Sequence, residues 1–378
     1  MKERLISVDV MRGITIAGML MVNNPGSWSY IYSPLRHASW NGLTPTDLVF
    51  PFFMFIMGMS AYFSLKKYDF AISWPTFWKI IRRTVILFAI GIGIAWFGRS
   101  LRGLAGGKAF WDAILNFDTI RILGVIPRLA ICYGVGTLIA ILSGRRVVWV
   151  TAIILVVYAI ILITGNGFEF SENNVIAIVD RAVLGVNHMY SDTINGETLK
   201  FDPEGLLSTI PSIAHVLIGF MAGKMVLTSK DNDSRVIKLM VMGTCLTFAG
   251  FLLSYGIPIN KKIWSPTFVL TTCGLASLLL GLLIWIIDIH GWKKWTPFFR
   301  DFGVNPLFLY VLGTIFSILL GVIKVGERSL QGYIYKDCLV PLCDDNVTLA
   351  SLLFALLFVG FNWIFAYILY RNKIYIKI

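Results

Sequence analysis

Charge is scarce in this chain of 378 residues: 14% are Asp, Glu, Lys or Arg, against 57% hydrophobic. Soluble domains carry roughly 25% charged residues, so a soluble globular fold is excluded. A mean hydropathy of +0.75 points the same way. The chain also lacks a Walker-type phosphate loop, a nucleophile elbow and a Gly-x-Gly-x-x-Gly fingerprint. No spacing of His and Cys suits a metal ion. No linker, low-complexity stretch or convincing internal repeat divides the sequence, so one integral domain over 1–378 is expected. A cleavable leader is not expected either, because Asp9 and Arg12 interrupt the first apolar run, which reads as a retained helix.

What the chain does have is long apolar runs. About twenty apolar residues span a bilayer as helix, and ten candidates are found: Ile6–Val22, Thr46–Leu65, Thr84–Gly98, Ile122–Leu142, Val147–Thr164, Leu206–Gly223, Leu239–Tyr255, Pro266–Ile287, Val304–Ile323 and Leu349–Tyr370. The expectation is an all-α polytopic membrane protein of about ten transmembrane helices. Its net charge of +12 sorts by side. With the N-terminus cytoplasmic, the cytoplasmic segments hold 19 Lys/Arg against 6 Asp/Glu, and the outer segments 12 against 13. That is the positive-inside pattern, with both termini cytoplasmic. It argues against nucleic acid as a partner and for the bilayer. The longest outer loop, 165–205, carries seven acids and two bases. Its length fits a lid or binding platform as well as an ordinary solvated loop.

Polar groups inside apolar runs are costly and each needs a reason. Asp9 and Arg12 are three apart on the first helix and share a face. The plainer reading is a buried ion pair; the other is contact with a polar ligand. Arg128 must find an anion or several carbonyls, and Asp9 is a candidate partner. Pro51 inside the second run predicts a kink. His215 reads as a packing residue, His290 as an interface anchor beside Trp292, and His188 as a minor candidate for substrate contact. The five cysteines show no metal pattern, and Cys338 and Cys343 fall in an outer loop where a disulfide is chemically permitted.

His37 differs from the other three histidines. It lies between the first two spans in Arg36-His37-Ala38-Ser39-Trp40-Asn41-Gly42-Leu43-Thr44, among hydroxyl, amide and indole donors. An imidazole there is placed for proton transfer near neutral pH. Its plainer reading is a solvated loop residue. Asn23, at the outer end of the first span, reads first as a helix stop before Pro25-Gly26, and second as an amide that donates to a developing oxyanion. Asp47, ten residues beyond His37, either caps the second helix or turns back to orient the imidazole. Cytoplasmic cations such as Arg82, Arg83, Arg145, Arg146 and Lys224 are candidates for holding a phosphorylated ligand. For any one of them, topology alone is the simpler account.

These residues resemble a known family. Arg4-Leu5-Ile6-Ser7-Val8-Asp9-Val10-Met11-Arg12-Gly13, Val22-Asn23, His37 through Thr44 and Asp47-Leu48-Val49-Phe50-Pro51 are similar to the opening of the heparan-α-glucosaminide N-acetyltransferase family, within the transmembrane acyltransferase superfamily. The likeness continues at Arg121-Ile122-Leu123-Gly124-Val125, Arg128-Leu129, Phe201-Asp202-Pro203-Glu204-Gly205, Asn260 through Ser265 and Gly303-Val304-Asn305. His-Ala-Ser-Trp-Asn-Gly is its most specific part. The resemblance implies acetyl transfer from cytoplasmic acetyl-CoA, as co-substrate without a metal, to the amine of glucosamine or a related amino sugar on the outer side. It implies a bacterial-type member in the cytoplasmic (inner) membrane, and a homodimer. It places the active histidine on His37 and its assisting asparagine on Asn23. Cofactor contacts are expected at Arg12, Asp9, Arg128 and Asn305, and substrate contacts at Trp40, Asn41, Asp47 and Glu204. A general-base route and an acetyl-histidine route both remain open. Pro127 stands where glutamine is expected before Arg128. The chain also begins at the first membrane run, without an extended outer N-terminal region, so a smaller acceptor is expected. The competing class is a transporter or polysaccharide-export component, supported by Pro-interrupted helices and charges at membrane depth. A non-catalytic acyl-group sensor is a third.

Overall fold

A computed structural model describes residues 5–194 and 196–376; Arg4, which opens the first motif, lies outside them. The described chain is helical apart from two small hairpins, β1 (Ser191–Ile194) with β2 (Glu197–Lys200) and β3 (Lys324–Val325) with β4 (Arg328–Ser329). The helices are α1 (Ile6–Val22), α2 (Val49–Leu65), α3 (Trp74–Ala105), α4 (Phe110–Ile114), α5 (Val125–Ser143), α6 (Val147–Thr164), α7 (Val175–Leu184), α8 (Thr209–Thr228), α9 (Asn232–Leu253), α10 (Pro266–Leu283), α11 (Thr296–Val304), α12 (Pro306–Val322), α13 (Leu330–Tyr333), α14 (Val340–Leu342) and α15 (Val347–Arg371). A π-helical turn, Ile284–Ile289, extends α10.

Seven helical stretches are long and apolar enough to cross a membrane, and eight if the pair α11–α12, bent by 89° at Asn305, is counted as one span. The protein is integral to a membrane. All ten expected spans lie on helices, and the smaller number has a plain origin. At 17 residues α1 falls just short of the length required, and α5 and α6 form one stretch of 40 residues interrupted at Gly144–Arg146. Forty residues at about 1.5 Å each would reach twice the thickness of a bilayer core. Gly144, with a left-handed φ of 50°, turns the chain back between them.

Close backbone contact fixes the arrangement. Where α2 crosses α8, a Cβ on Gly58 would meet the Val216 carbonyl at 2.1 Å, and one on Gly219 would meet that of Phe55 at 2.1 Å. Small residues thus let two apolar helices touch along their backbones, as is usual where lipid removes the hydrophobic drive between them. Pro51 does not produce the expected kink. It stands in the first turn of α2, where its missing N–H has little to pair with, and the helix runs unbroken to Leu65. The main core gathers residues of α1, α2, α5, α8 and α10 around Phe55, Met59, Phe268 and Trp264.

The described residues of the loop 165–205 carry secondary structure of their own. They form α7 and the β1–β2 hairpin, and the buried Asp180 carboxylate accepts the Leu206 and Leu207 N–H groups at 2.9 and 3.1 Å. Burial pushes the Asp180 carboxyl up to about 6, against the pull of those two donors. Cys338 and Cys343 are both free thiols.

Candidate active site

The loop between α1 and α2 folds back on itself through one carboxylate. Asp47 sits in the 3-10 turn Pro45–Leu48 that leads into α2, with Thr44 as its cap. Asp47 Oδ2 accepts the N–H groups of Ala38 (3.1 Å) and Thr44 (3.2 Å) and the Thr44 hydroxyl (2.9 Å). Its other oxygen, Oδ1, lies 2.7 Å from His37 Nδ1. Capping and orienting therefore coexist, one on each oxygen. The Asp47 side chain is 1% exposed, whereas that of His37 is 38% exposed. An Nδ1–H donated to Asp47 leaves His37 Nε2 with its lone pair free. The rest of the loop is tied by Arg36, which donates to the carbonyls of Ile31 and Ser29.

A third group completes the cluster. Lys261, between α9 and α10, brings Nζ to 3.3 Å from Asp47 Oδ1 and 3.1 Å from His37 Nδ1. Burial pushes the Lys261 ammonium below its ordinary range, opposed by the carboxylates of Asp47 and Glu204. The sequence singled out Lys261 only as part of the Asn260 through Ser265 stretch that resembles the acetyltransferases, without a role of its own.

The other expected residues divide into two groups. Trp40 Nε1–H donates to Phe168 O at 2.7 Å, and its ring packs edge-on against Phe170 and Phe201, both 5.3 Å away. Asn41 Oδ1 accepts from Asn260 Nδ2 at 3.1 Å. Trp40 holds the His37 loop against the loop 165–205, and Asn41 holds it against the loop between α9 and α10. Glu204 pairs with Arg121 at 2.5 Å, and Arg121 also holds Asp202. Burial works against the Glu204 charge, but Arg121 and Arg128 keep its carboxyl below the usual range. Asn23 ends α1 on the same face, exposed, and its side-chain amide makes no hydrogen bond among the described residues. His188 Nδ1 meets Ile120 O, His215 is buried edge-on to Trp264, and His290 packs between Trp285 and Trp292.

The remaining residues lie apart from the His37 cluster, Asp9 and Arg12 in the first half of α1 and Arg128 in the first turn of α5. Arg12 bonds Asp9 (3.1 Å), the Gly303 carbonyl (3.1 Å) and Ser60 Oγ (3.0 Å). Arg128 does not pair with Asp9. It donates to Gly205 O at 3.2 Å and to Ser208 Oγ, and lies over the Trp264 ring. Its Nε and Nη1 have no partner among the described residues. Asn305 binds a backbone segment: its amide donates to Ile374 O and accepts from Ile376 N–H, both at 2.8 Å.

Arg12 also lines a cavity of about 760 Å³ with Ser60, Ser64, Lys67, Lys79, Arg83 and Ile376. Lys67 lies just past the far end of α2, and that helix of 17 residues separates the two levels by about 26 Å at 1.5 Å per residue. The cavity therefore opens on the face opposite His37. Among the described residues no acid lines it. Lys79 reaches Ser64 Oγ and the Tyr68 ring, and Arg83 lies over the Tyr133 ring, its Nε without a partner among the described residues. Arg83 was legible as a candidate; Lys67 and Lys79 were not. No group of three or more His, Cys, Asp or Glu able to hold a metal occurs among the described residues.

Over its whole length the chain is 28% identical to the mouse (Mus musculus) heparan-α-glucosaminide N-acetyltransferase, covering 61% of that protein. It is 28% identical to the human (Homo sapiens) protein of the same name over 99% of the chain and 60% of the relative. The chain is thus related to these N-acetyltransferases, as its motifs indicated, and it spans about three-fifths of their length. No family model matches it.

Proposed function

We propose that this chain is a transmembrane acyltransferase that moves acetyl from acetyl-CoA, bound from the cytoplasmic side, to the amine of glucosamine or a related amino sugar at the outer face. The observation that carries the reading is the 2.7 Å contact between His37 and Asp47, which leaves Nε2 free on a motif shared in kind with the acetyltransferases. The large basic cavity at the other end of α2 supports it from the donor side. Lys67, Lys79 and Arg83 would hold phosphates there, and a thin acyl arm would run between α1, α2 and α5 toward His37.

In the reaction the acceptor nitrogen attacks the thioester carbonyl while its proton passes to His37 Nε2. Asp47 holds the ring in the required tautomer and stands beside the positive charge that forms. The unengaged amide of Asn23 is the proposed donor to the oxyanion. When the tetrahedral intermediate collapses, the amide bond stays, the C–S bond breaks, and the thiolate takes the proton from Nε2. Trp40 and Asn41 shape the acceptor side through the loop they tie down. Carrying only the acyl arm into the dry helix bundle spares the phosphates a passage through lipid. The same reading places the protein in a bacterial cytoplasmic membrane.

The test is acetyl transfer in proteoliposomes, with acetyl-CoA and glucosamine supplied on opposite sides. Wild type yields N-acetylglucosamine, and His37→Ala lowers the rate at least ~10²-fold. Equal turnover in both would remove His37 from the chemistry. Solute flux without acetylation would bring forward the transport reading, to which the broken helix pair at Asn305 lends support.

A further inference from the structure

Two nitrogen groups share one oxygen at the centre of the site. His37 Nδ1 and Lys261 Nζ both approach Asp47 Oδ1, at 2.7 and 3.3 Å, and lie 3.1 Å from each other. A single Nδ1 cannot donate to Asp47 and accept from Lys261 together. The shorter contact assigns its hydrogen to Asp47. The approach of Lys261 is then a contact with Asp47 alone, and a like-charge contact with the ring whenever the ring is protonated.

The position of Lys261 is rigidly specified. On one side Ile259 O accepts from Gly42 N–H at 2.8 Å, and Asn260 Nδ2 donates to Asn41. On the other, Asn260 Oδ1 accepts the N–H groups of Lys262 and Ile263, and Tyr158 OH donates to Ile263 O at 2.6 Å. Trp264 follows in a left-handed turn with φ 51°. Lys262 points instead to the hairpin and pairs with Asp192 at 2.5 Å.

We infer that Lys261 is a positioning residue for the base: its ammonium, held against Asp47, keeps His37 from retaining the proton taken from the acceptor amine. The inference rests on the acyl-transfer reading of His37. The charged groups around the pair support it. Asp47 balances one cation, Lys262 is matched by Asp192, and Glu204 and Asp202 are held by Arg121. The Arg36 guanidinium is turned away to backbone carbonyls. A protonated ring leaves His37, Asp47 and Lys261 with one uncompensated positive charge; a neutral ring leaves none. Lys261 thus drives the proton onward to the departing thiolate, while Asp47 keeps the ring oriented.

The test reads His37 without requiring turnover. Diethyl pyrocarbonate acylates neutral imidazole, and the adduct on the His37 peptide is measured by mass spectrometry between about pH 5 and 9. In Lys261→Gln the midpoint of labelling rises by roughly one pH unit, because loss of a nearby cation favours the protonated ring. Lys261→Arg restores the wild-type midpoint, and Asp47→Asn moves it down. The acid limb of kcat/KM for acetyl transfer moves with the labelling in each variant. Lys261→Met carries the same expectation should the Gln variant not fold. An unshifted midpoint in the neutral variants overturns the inference, and so does a shift of Lys261→Gln and Asp47→Asn in the same direction. A shifted midpoint in a protein that never acetylates would sink the proposed function and leave the coupling standing.

Discussion

The two ends of α2 are built on opposite plans. At its N-terminal end acids and bases pair closely: Asp47 alone meets Ala38, Thr44, His37 and Lys261, and Glu204 is closed by Arg121. Beyond its C-terminal end Lys67, Lys79 and Arg83 have no acid among the described residues that line the cavity, and Arg83 Nε has no hydrogen-bond partner among the described residues. A buried network that is fully satisfied rigidifies, which suits a group that must present one nitrogen in one orientation. Cations left without counter-charges beside empty space suit the binding of an anion supplied from outside. On the proposed reading, the chemistry and the affinity lie about one helix length apart.

The sharpest way to break this contrast is to open the closed end. Asp47→Asn keeps the shape but removes the charge that selects the His37 tautomer, and kcat is expected to fall roughly 10²–10³-fold in the proteoliposome assay. A fall of less than threefold would reduce Asp47 to a helix cap. At the open end, Lys79→Ala or Arg83→Ala should each raise KM for acetyl-CoA about tenfold, as for loss of a charge-assisted hydrogen bond. Their kcat should change by less than about threefold, so the split between KM and kcat distinguishes the two ends directly. If kcat fell instead, the cavity would belong to the reacting centre.

The effect on turnover should be smallest at Asp180, which ties the loop 165–205 down. Its carboxyl titrates at about 6 in the folded chain and near 3.9 when unfolded. The folded state therefore binds the proton more tightly. The stabilisation from that proton is present below about pH 4 and is lost as pH rises through 6, up to about 3 kcal/mol. Asp180→Asn, whose amide oxygen still accepts both N–H groups, should flatten this dependence. Amide hydrogen exchange over 175–207 in wild type and variant, compared at pH 4.5 and 7, measures it. Parallel pH dependences would exclude Asp180 as its source.

Several elements were legible in the chain before any fold was known. The ten apolar runs all became helix, because a segment that enters lipid has no other way to satisfy its backbone. The Asp9–Arg12 pair followed from a spacing of three on one helix. Pro51 misled, because the start of α2 at Val49 turns an interior proline into a first-turn one. Arg128 also escaped: its partners Gly205 and Ser208 lie 77 and 80 residues away, and nothing local names them.

The sequence by itself determined the membrane character, the helices and the singularity of His37 among four histidines, since these rest on local periodicity and on polar groups next to one another in the chain. Only the tertiary structure decided that Asp47 both caps and orients, that Lys261 joins it from 214 positions away, and that cations of α1, α3 and the turn after α2 surround one cavity. Charges act over a few ångströms of space, and helix packing sets that distance independently of how far apart two residues lie along the chain.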